Sequence, residues 1–343
     1  MPKLKYLEGI GLLVGMIFGA GVFALPFSIA QAGIFWGLVH FGIAFSLIVF
    51  LHLLYSEVAY STEGRHRLTG YTRIYLGKKA ERLMFLATIF SYYGTLLVYG
   101  ILAGIFLSNI FPKVAPEIFS LLFFLAGAFL ILLRLSKIGL LNFFLTLPLF
   151  GFVLYLFFVA WPVIKPANFQ LFNNNNFWFL PFGVWLFSLT GFSIIPEVRD
   201  LFSRNSLKNF KKVVLFSILI TALFYFIFVF SIIGAAGEKI SQDALSGLIP
   251  ILGFKAVLAG SLLGLLAVFT SLLALAQDFK DIFRYDYKLP FWLSWILVVG
   301  PPIILFFSGF RNFISLINVI GIFGFGLSAI FIIFMFRKQR TKK

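Results

Sequence analysis

Apolar runs of about 20 residues recur along this chain from one end to the other, and they leave few folds open. A hydrocarbon layer offers the backbone no hydrogen-bond partner, so a crossing segment must bond to itself as a helix or close into a barrel. Continuous runs of this length, without strand-like alternation, predict helices. Ten spans are expected, at about 8–31, 34–59, 83–110, 118–134, 139–162, 177–197, 212–235, 250–277, 290–308 and 313–336. The composition agrees: 61% of residues are hydrophobic and 12% charged, against roughly 25% charged in soluble domains. The reading is an all-α polytopic membrane protein, a single domain over 1–343. The first run is too long for a cleavable signal peptide, and no small-residue cleavage site precedes a polar mature region. No cysteine occurs, which excludes disulfides and cysteine metal sites. The 49 phenylalanines read as lipid-facing and packing residues.

A net charge of +16 invites a nucleic-acid reading, but its distribution argues otherwise. With the N-terminus inside, 23 of the 28 Lys and Arg fall on inner segments. The positive-inside rule then places both termini in the cytoplasm, and the plasma (inner) membrane is the expected location. The basic loops and the tail 337–343 would meet anionic lipid, with no role for nucleic acid. Segment 61–82, with Tyr71, Ile74, Tyr75 and Leu76 between charges, reads as an interfacial amphipathic helix. Segment 165–176, with Asn173 to Asn176 in a row, reads as a polar loop.

Inside the first run lies Gly15-Met-Ile-Phe-Gly19-Ala-Gly21-Val-Phe-Ala-Leu-Pro26. Glycine loosens a helix, and proline removes a donor and clashes with the preceding turn. The sixth run reads Pro181-Phe-Gly-Val-Trp-Leu-Phe-Ser-Leu-Thr-Gly191-Phe-Ser-Ile-Ile-Pro196. Its Gly191 and Pro196 repeat Gly21 and Pro26 at an offset of 170 residues, half the chain. Each half holds five runs, an odd number, so the second half (177–336) must enter from the side opposite to the first (8–162). Interrupted helices at matching places in two inverted halves point to a secondary transporter's binding site.

At these residues the chain resembles a known family. Gly15 to Pro26 resembles the first-helix signature of the amino acid–polyamine–organocation superfamily, near its tryptophan/tyrosine permease and amino acid/auxin permease branches. Pro181 to Pro196, continued by Glu197-Val, resembles the sixth helix of the same branches. Phe269-Thr270-Ser271-Leu272, followed by Asp278 and Asp281, resembles their eighth helix and its cytoplasmic end. The resemblance covers about 8–336. It implies a LeuT-type 5+5 inverted repeat with spans 1 and 6 interrupted, and a small-molecule amino acid held at the midplane. Relatives often carry an eleventh or twelfth span. This chain stops at ten, which leaves its oligomeric state open.

The candidate site follows residue by residue. Amides freed around Gly19, Ala20 and Gly21 would face an amino acid carboxylate, backed by the positive end of a half-helix. The alternative is close packing, because Gly11, Gly15 and Gly19 form a small-xxx-small stripe. Around the second break, Phe187, Ser188, Leu189, Thr190 and Gly191 would offer carbonyls to the ammonium group, with Phe187 closing over the side chain. The alternative is that Ser188 and Thr190 only bond the preceding turn. The adjacent hydroxyls Thr270 and Ser271, with carbonyls near Gly15 and Phe18, are a candidate oxygen cage for Na+. In sodium-coupled relatives the matching hydroxyl pair plays that role. The alternative is a back-bonded hydroxyl. Proton coupling competes, but Glu8, Glu57, His40, His52 and Lys137 lie near interfaces or lack a partner in sequence and read as structural. The resemblance places the third span beside the site, which makes Tyr92, Tyr93 and Tyr99 candidate lining residues, with plain packing as the alternative.

The expected function is secondary active transport of neutral amino acids, with aromatic ones among the candidates, by alternating access, driven by Na+ or H+, without a catalytic residue or organic cofactor. A membrane enzyme would need a metal cluster, a nucleophile–base pair or paired acids, and the spacing of the three histidines and scattered acids offers none. A non-transporting sensor or a channel on the same fold stays open.

Overall fold

A computed structural model of the chain describes residues 2–132, 138–202 and 206–341. The first expected span is a bent pair, α1 (Pro2–Ile17) and α2 (Gly21–Ala32), with a 49° change of direction. Then come α3 (Ile34–Ser61), the short α4 (Leu68–Leu76), α5 (Lys78–Ile110), α6 (Pro116–Leu132) and α7 (Ile138–Ala160). The second half opens with α8 (Leu180–Leu189) and α9 (Ile195–Asp200), separated by a stretch ending in a 3-10 turn, Phe192–Ile194. It continues through α10 (Leu207–Ala236), the one-turn α11 (Ile249–Leu252), α12 (Phe254–Asp281), α13 (Phe291–Phe307), α14 (Phe313–Val319) and α15 (Phe325–Thr341). Among the described residues, six helical units are long and apolar enough to cross a bilayer, and the bent pair makes a seventh. The shorter apolar helices α6, α7 and α13 occupy the remaining three expected segments.

The two glycine–proline pairs break their spans differently. In the first, the helix opens at 18–20, ahead of Gly21, and Pro26 lies inside α2. Having no N–H, Pro26 leaves Val22 O without its helical donor. In the second, the open stretch runs from Thr190 through the 3-10 turn, and Pro196 sits in the first turn of α9. There its missing N–H costs nothing.

The broken halves pack against each other: α2 meets α8, α1 meets α7 and α10, and α5 meets α12. Two places differ from the expected picture. Segment 61–82 does contain a helix, α4, but Thr69 to Thr72 are buried where it packs on α5, α15 and the π turn Ile282–Asp286. It is a bracket between helices, with Arg73 and Ile74 as its exposed edge. The polar loop 165–176 is likewise docked. Ile34 N and Phe35 N, orphan donors at the start of α3, bond to Gln170 O (2.9 Å) and Leu171 O (3.0 Å). Lys137 lies outside the described residues.

Candidate functional site

Where the two interrupted spans meet, backbone approaches backbone. A Cβ on Gly21 would stand 2.6 Å from Ser188 Cα, so only glycine lets α2 lie this close to α8. A Cβ on Gly191 would stand 2.7 Å from the Ile17 side chain. The second break is thus seated on the end of α1.

Several of the groups released by unwinding have partners. Gly19 N–H donates to Ile17 O (2.8 Å), and Gly191 N–H donates to His52 Nε2 (3.0 Å). His52 Nδ1 lies 2.8 Å from Ile48 O. A carbonyl only accepts and an amide only donates, so His52 is neutral with its proton on Nδ1. Tyr225, from α10, places its hydroxyl 2.6 Å from Ile17 O and 3.0 Å from Ser188 O. Ser271 Oγ donates to Gly15 O (3.2 Å).

Beside the junction is a cavity of about 100 Å³. Gly19, Ala20, Gly21, Phe187, Thr190 and Tyr92 line it. Ser188 and Gly191 do not: Ser188 Oγ back-bonds to Val184 O (2.7 Å), and Gly191 faces His52. Thr190 lines the cavity while its hydroxyl back-bonds to Leu186 O (2.6 Å). Of the candidate ion ligands, Gly15 and Ser271 come together. Thr270 Oγ1 bonds to Ala267 O of its own helix (3.0 Å), and the Phe18 ring packs on Phe150 and Tyr225. Of the span-three tyrosines, Tyr99 joins Tyr92 on the wall, whereas Tyr93 donates to Leu297 O (2.6 Å) on α13.

Much of the wall comes from residues not singled out in the sequence. Thr88, Ser91 and Thr95 join Tyr92 and Tyr99 on one face of α5. Their spacing of three and four is a hydroxyl stripe at helical period, a signal the sequence does contain. Against this face packs the π turn Ile320–Gly324 between α14 and α15, with Gly321 and Gly324 on the wall. A Cβ on Gly321 would overlap Gly183 O, so the π turn touches the backbone of α8. No charged side chain lines the cavity.

The floor is ionic. Leu68, the first residue of α4, lines the cavity, and Arg67 immediately before it is almost fully buried. Arg67 Nε lies 2.7 Å from Asp278 Oδ1, and its Nη2 lies 3.1 Å from Asp281 Oδ2 and 3.2 Å from Glu197 Oε1. Burial works against the guanidinium charge, but Asp278, Glu197 and Asp281 more than offset it and hold the pKa above its ordinary value. Asp278 Oδ2 accepts from Tyr92 (2.6 Å), which links the floor to the wall. Asp286, in the π turn after α12, accepts from Gly70 N (3.0 Å) and Thr69 Oγ1 (2.5 Å). Glu57 pairs with Lys211 (2.6 Å), away from the cavity. His40 is enclosed by Trp36, Trp178, Phe179 and Phe182.

The fold is that of known transporters. A crystal structure of MhsT in complex with L-phenylalanine is similar over 95% of this chain and 87% of that one, with a TM-score of 0.75 at 15% identity. Mhp1, a nucleobase-cation-symport-1 family transporter, in a closed conformation with bromovinylhydantoin bound, is similar over 92% of this chain and 74% of that one, with a TM-score of 0.67 at 12% identity. These likenesses establish the LeuT-type fold. A search of curated protein sequences found no match. The model of the tryptophan/tyrosine permease family matches residues 3–343. With interrupted spans that meet beside a cavity, and a family match over nearly its whole length, the chain belongs to the tryptophan/tyrosine permease family.

Proposed function

We propose that this permease is a secondary active transporter of neutral amino acids, aromatic ones in particular, and that it works by alternating access. The observation that supports this most is the cavity at the crossing of the two breaks. It is walled by hydroxyls and aromatic rings and bears no net charge of its own. A zwitterion with an uncharged side chain suits such a wall. A cationic or anionic side chain would stand unpaired there, at a cost of several kcal/mol, roughly. MhsT, similar in fold, is described in complex with L-phenylalanine, which agrees with this reading.

In the proposed roles, Ala20 and Gly21 at the start of α2 receive the carboxylate, and the Phe187–Thr190 stretch receives the ammonium group, with Gly191, Ser188 and Gly19 setting the approach of the two chains. Tyr92 closes the wall. The inverted halves 8–162 and 177–336 rock about this site. Inward opening parts Arg67 from its three acids and withdraws Leu68. Outward opening parts α8 from the π turn of the tenth span. The basic loops face the cytoplasm and its anionic lipid.

Two ions compete for the driving role. Na+ would take Gly15 O and the Ser271 hydroxyl, with the Phe18 carbonyl and Thr270 completing the oxygens. H+ would act at Asp278, which touches both Arg67 and Tyr92. The test is uptake of the twenty labelled amino acids into proteoliposomes under an imposed Na+ or pH gradient. Saturable, gradient-dependent accumulation of an aromatic amino acid is expected. Gradient-independent flux would mean a channel, and saturable binding without flux a sensor. Gly21→Val must push Ser188 away, so it abolishes uptake while expression persists. Normal uptake by that variant would remove the backbone clamp.

A further inference from the structure

One fully buried hydroxyl at the junction belongs to neither broken span. Tyr225 is fully buried on α10. Its hydroxyl bridges Ile17 O, at the last residue of α1, and Ser188 O, at the penultimate residue of α8. Two helices therefore aim their C-terminal ends at one point. Each such end carries roughly half a negative charge and leaves carbonyls without helical partners. Cations are the usual answer to converging carbonyls. Here the positive end of a phenolic O–H dipole stands in that place, and its single hydrogen is shared between two acceptors. The ring is set among Phe18 (5.3 Å between centroids) and Trp185 (6.5 Å), so the hydroxyl is held where both carbonyls can use it.

Resting on the transport reading above, we propose that Tyr225 is a positioning residue that substitutes for a cation at this junction. Its hydroxyl fixes the spacing of the two half-helices at which Gly21 and Phe187 face the same cavity. Because the dipole is covalently attached, the junction needs no ion. A cation that drives transport acts elsewhere. The role differs from ring packing, since it resides in one oxygen and one hydrogen.

The test uses the full chain in proteoliposomes, with labelled L-tryptophan and L-tyrosine, in choline medium and with added Na+ or Li+. Tyr225→Phe keeps the ring and deletes the donor. Tyr225→His packs less well but keeps a ring N–H. For Tyr225→Phe, KM is expected to rise about tenfold, with the maximal rate within about threefold of native. Na+ or Li+ should then lower the KM of the Phe variant by a larger factor than it lowers the native one, because the vacated carbonyls now accept an ion. Tyr225→His should fall between native and Phe. Native KM and native cation response in Tyr225→Phe would overturn the proposal, as would a Phe variant that outperforms His. A Phe variant that never reaches the membrane also overturns it, since the hydroxyl would then serve folding. Failure of the native chain to take up either amino acid counts against the transport reading itself, whereas native uptake with an unchanged Phe variant defeats the Tyr225 proposal alone.

Discussion

At the scale of single residues, the junction is held by side chains that lie far from it in sequence. His52 accepts from Gly191 N–H across 139 positions, and Tyr225 reaches back 208 positions to Ile17 O. Neither announces this role in its own segment: His52 is one of two histidines in α3, and Tyr225 is a lone tyrosine in an apolar run. Their roles depend on which way α3 and α10 are turned, and sequence spacing alone does not fix that rotation. Ser188 and Thr190 illustrate the opposite case. Their helix position was readable, and the hydroxyls do what hydroxyls in apolar helices commonly do, bonding the preceding turn. What those residues contribute at the break is main chain. His52→Phe leaves Gly191 N–H buried without an acceptor, a loss of about 1–3 kcal/mol. A melting temperature lowered by several degrees in detergent is expected, with a smaller change for Ser188→Ala, whose hydroxyl bonds only its own helix.

At the scale of elements, the glycine–proline repeat located both breaks because the cost of unwinding in lipid leaves few places for such residues. It did not reveal that the first opening precedes its proline by a turn while the second runs up to it. That difference arises because Pro26 is carried inside α2 and Pro196 starts α9. The hydroxyl stripe of α5 was there to be read at helical period, whereas the π turn in the tenth span has no comparable sequence mark. Nor did the run 61–82 reveal that α4 is wedged between helices, since amphipathicity is the same whether the apolar face meets lipid or protein. The buried Arg67 gives α4 its anchorage. Arg67→Ala leaves Asp278, Asp281 and Glu197 facing one another, and removing one partner of such a buried cluster costs about 3–5 kcal/mol. The closed floor should therefore loosen. With no native cysteine to interfere, Ser193→Cys on the cavity wall is a clean reporter. In inside-out vesicles, a water-soluble maleimide should label it several-fold faster in the Arg67→Ala background. Equal rates would mean that the cluster does not close the site.

At the scale of the molecule, the recurrence of long apolar helices was readable because hydrocarbon thickness dictates segment length. Contacts join segments that the sequence expects to share a side. Arg67, Glu197 and Asp281, from segments expected on one side, meet each other. Asn109 and Asp243, expected on the other side, also meet, at 3.1 Å. The absolute orientation rests on the positive-inside reading, and it is testable with exposed single cysteines. Lys165→Cys is expected to react with an impermeant maleimide added to intact cells, and Arg73→Cys only after the membrane is opened. The reverse pattern would invert the topology.

The π turn Ile320–Gly324 has a consequence for how this chain can change in length. A π turn holds one residue more than the helix around it requires. Deleting a residue within 320–324 would restore a regular helix and leave both flanking faces aimed as they are now. The same deletion one turn away would rotate everything beyond it by about 100°. The tenth span thus has a single point where shortening by one is tolerated by packing, and the loss would fall on the cavity wall alone.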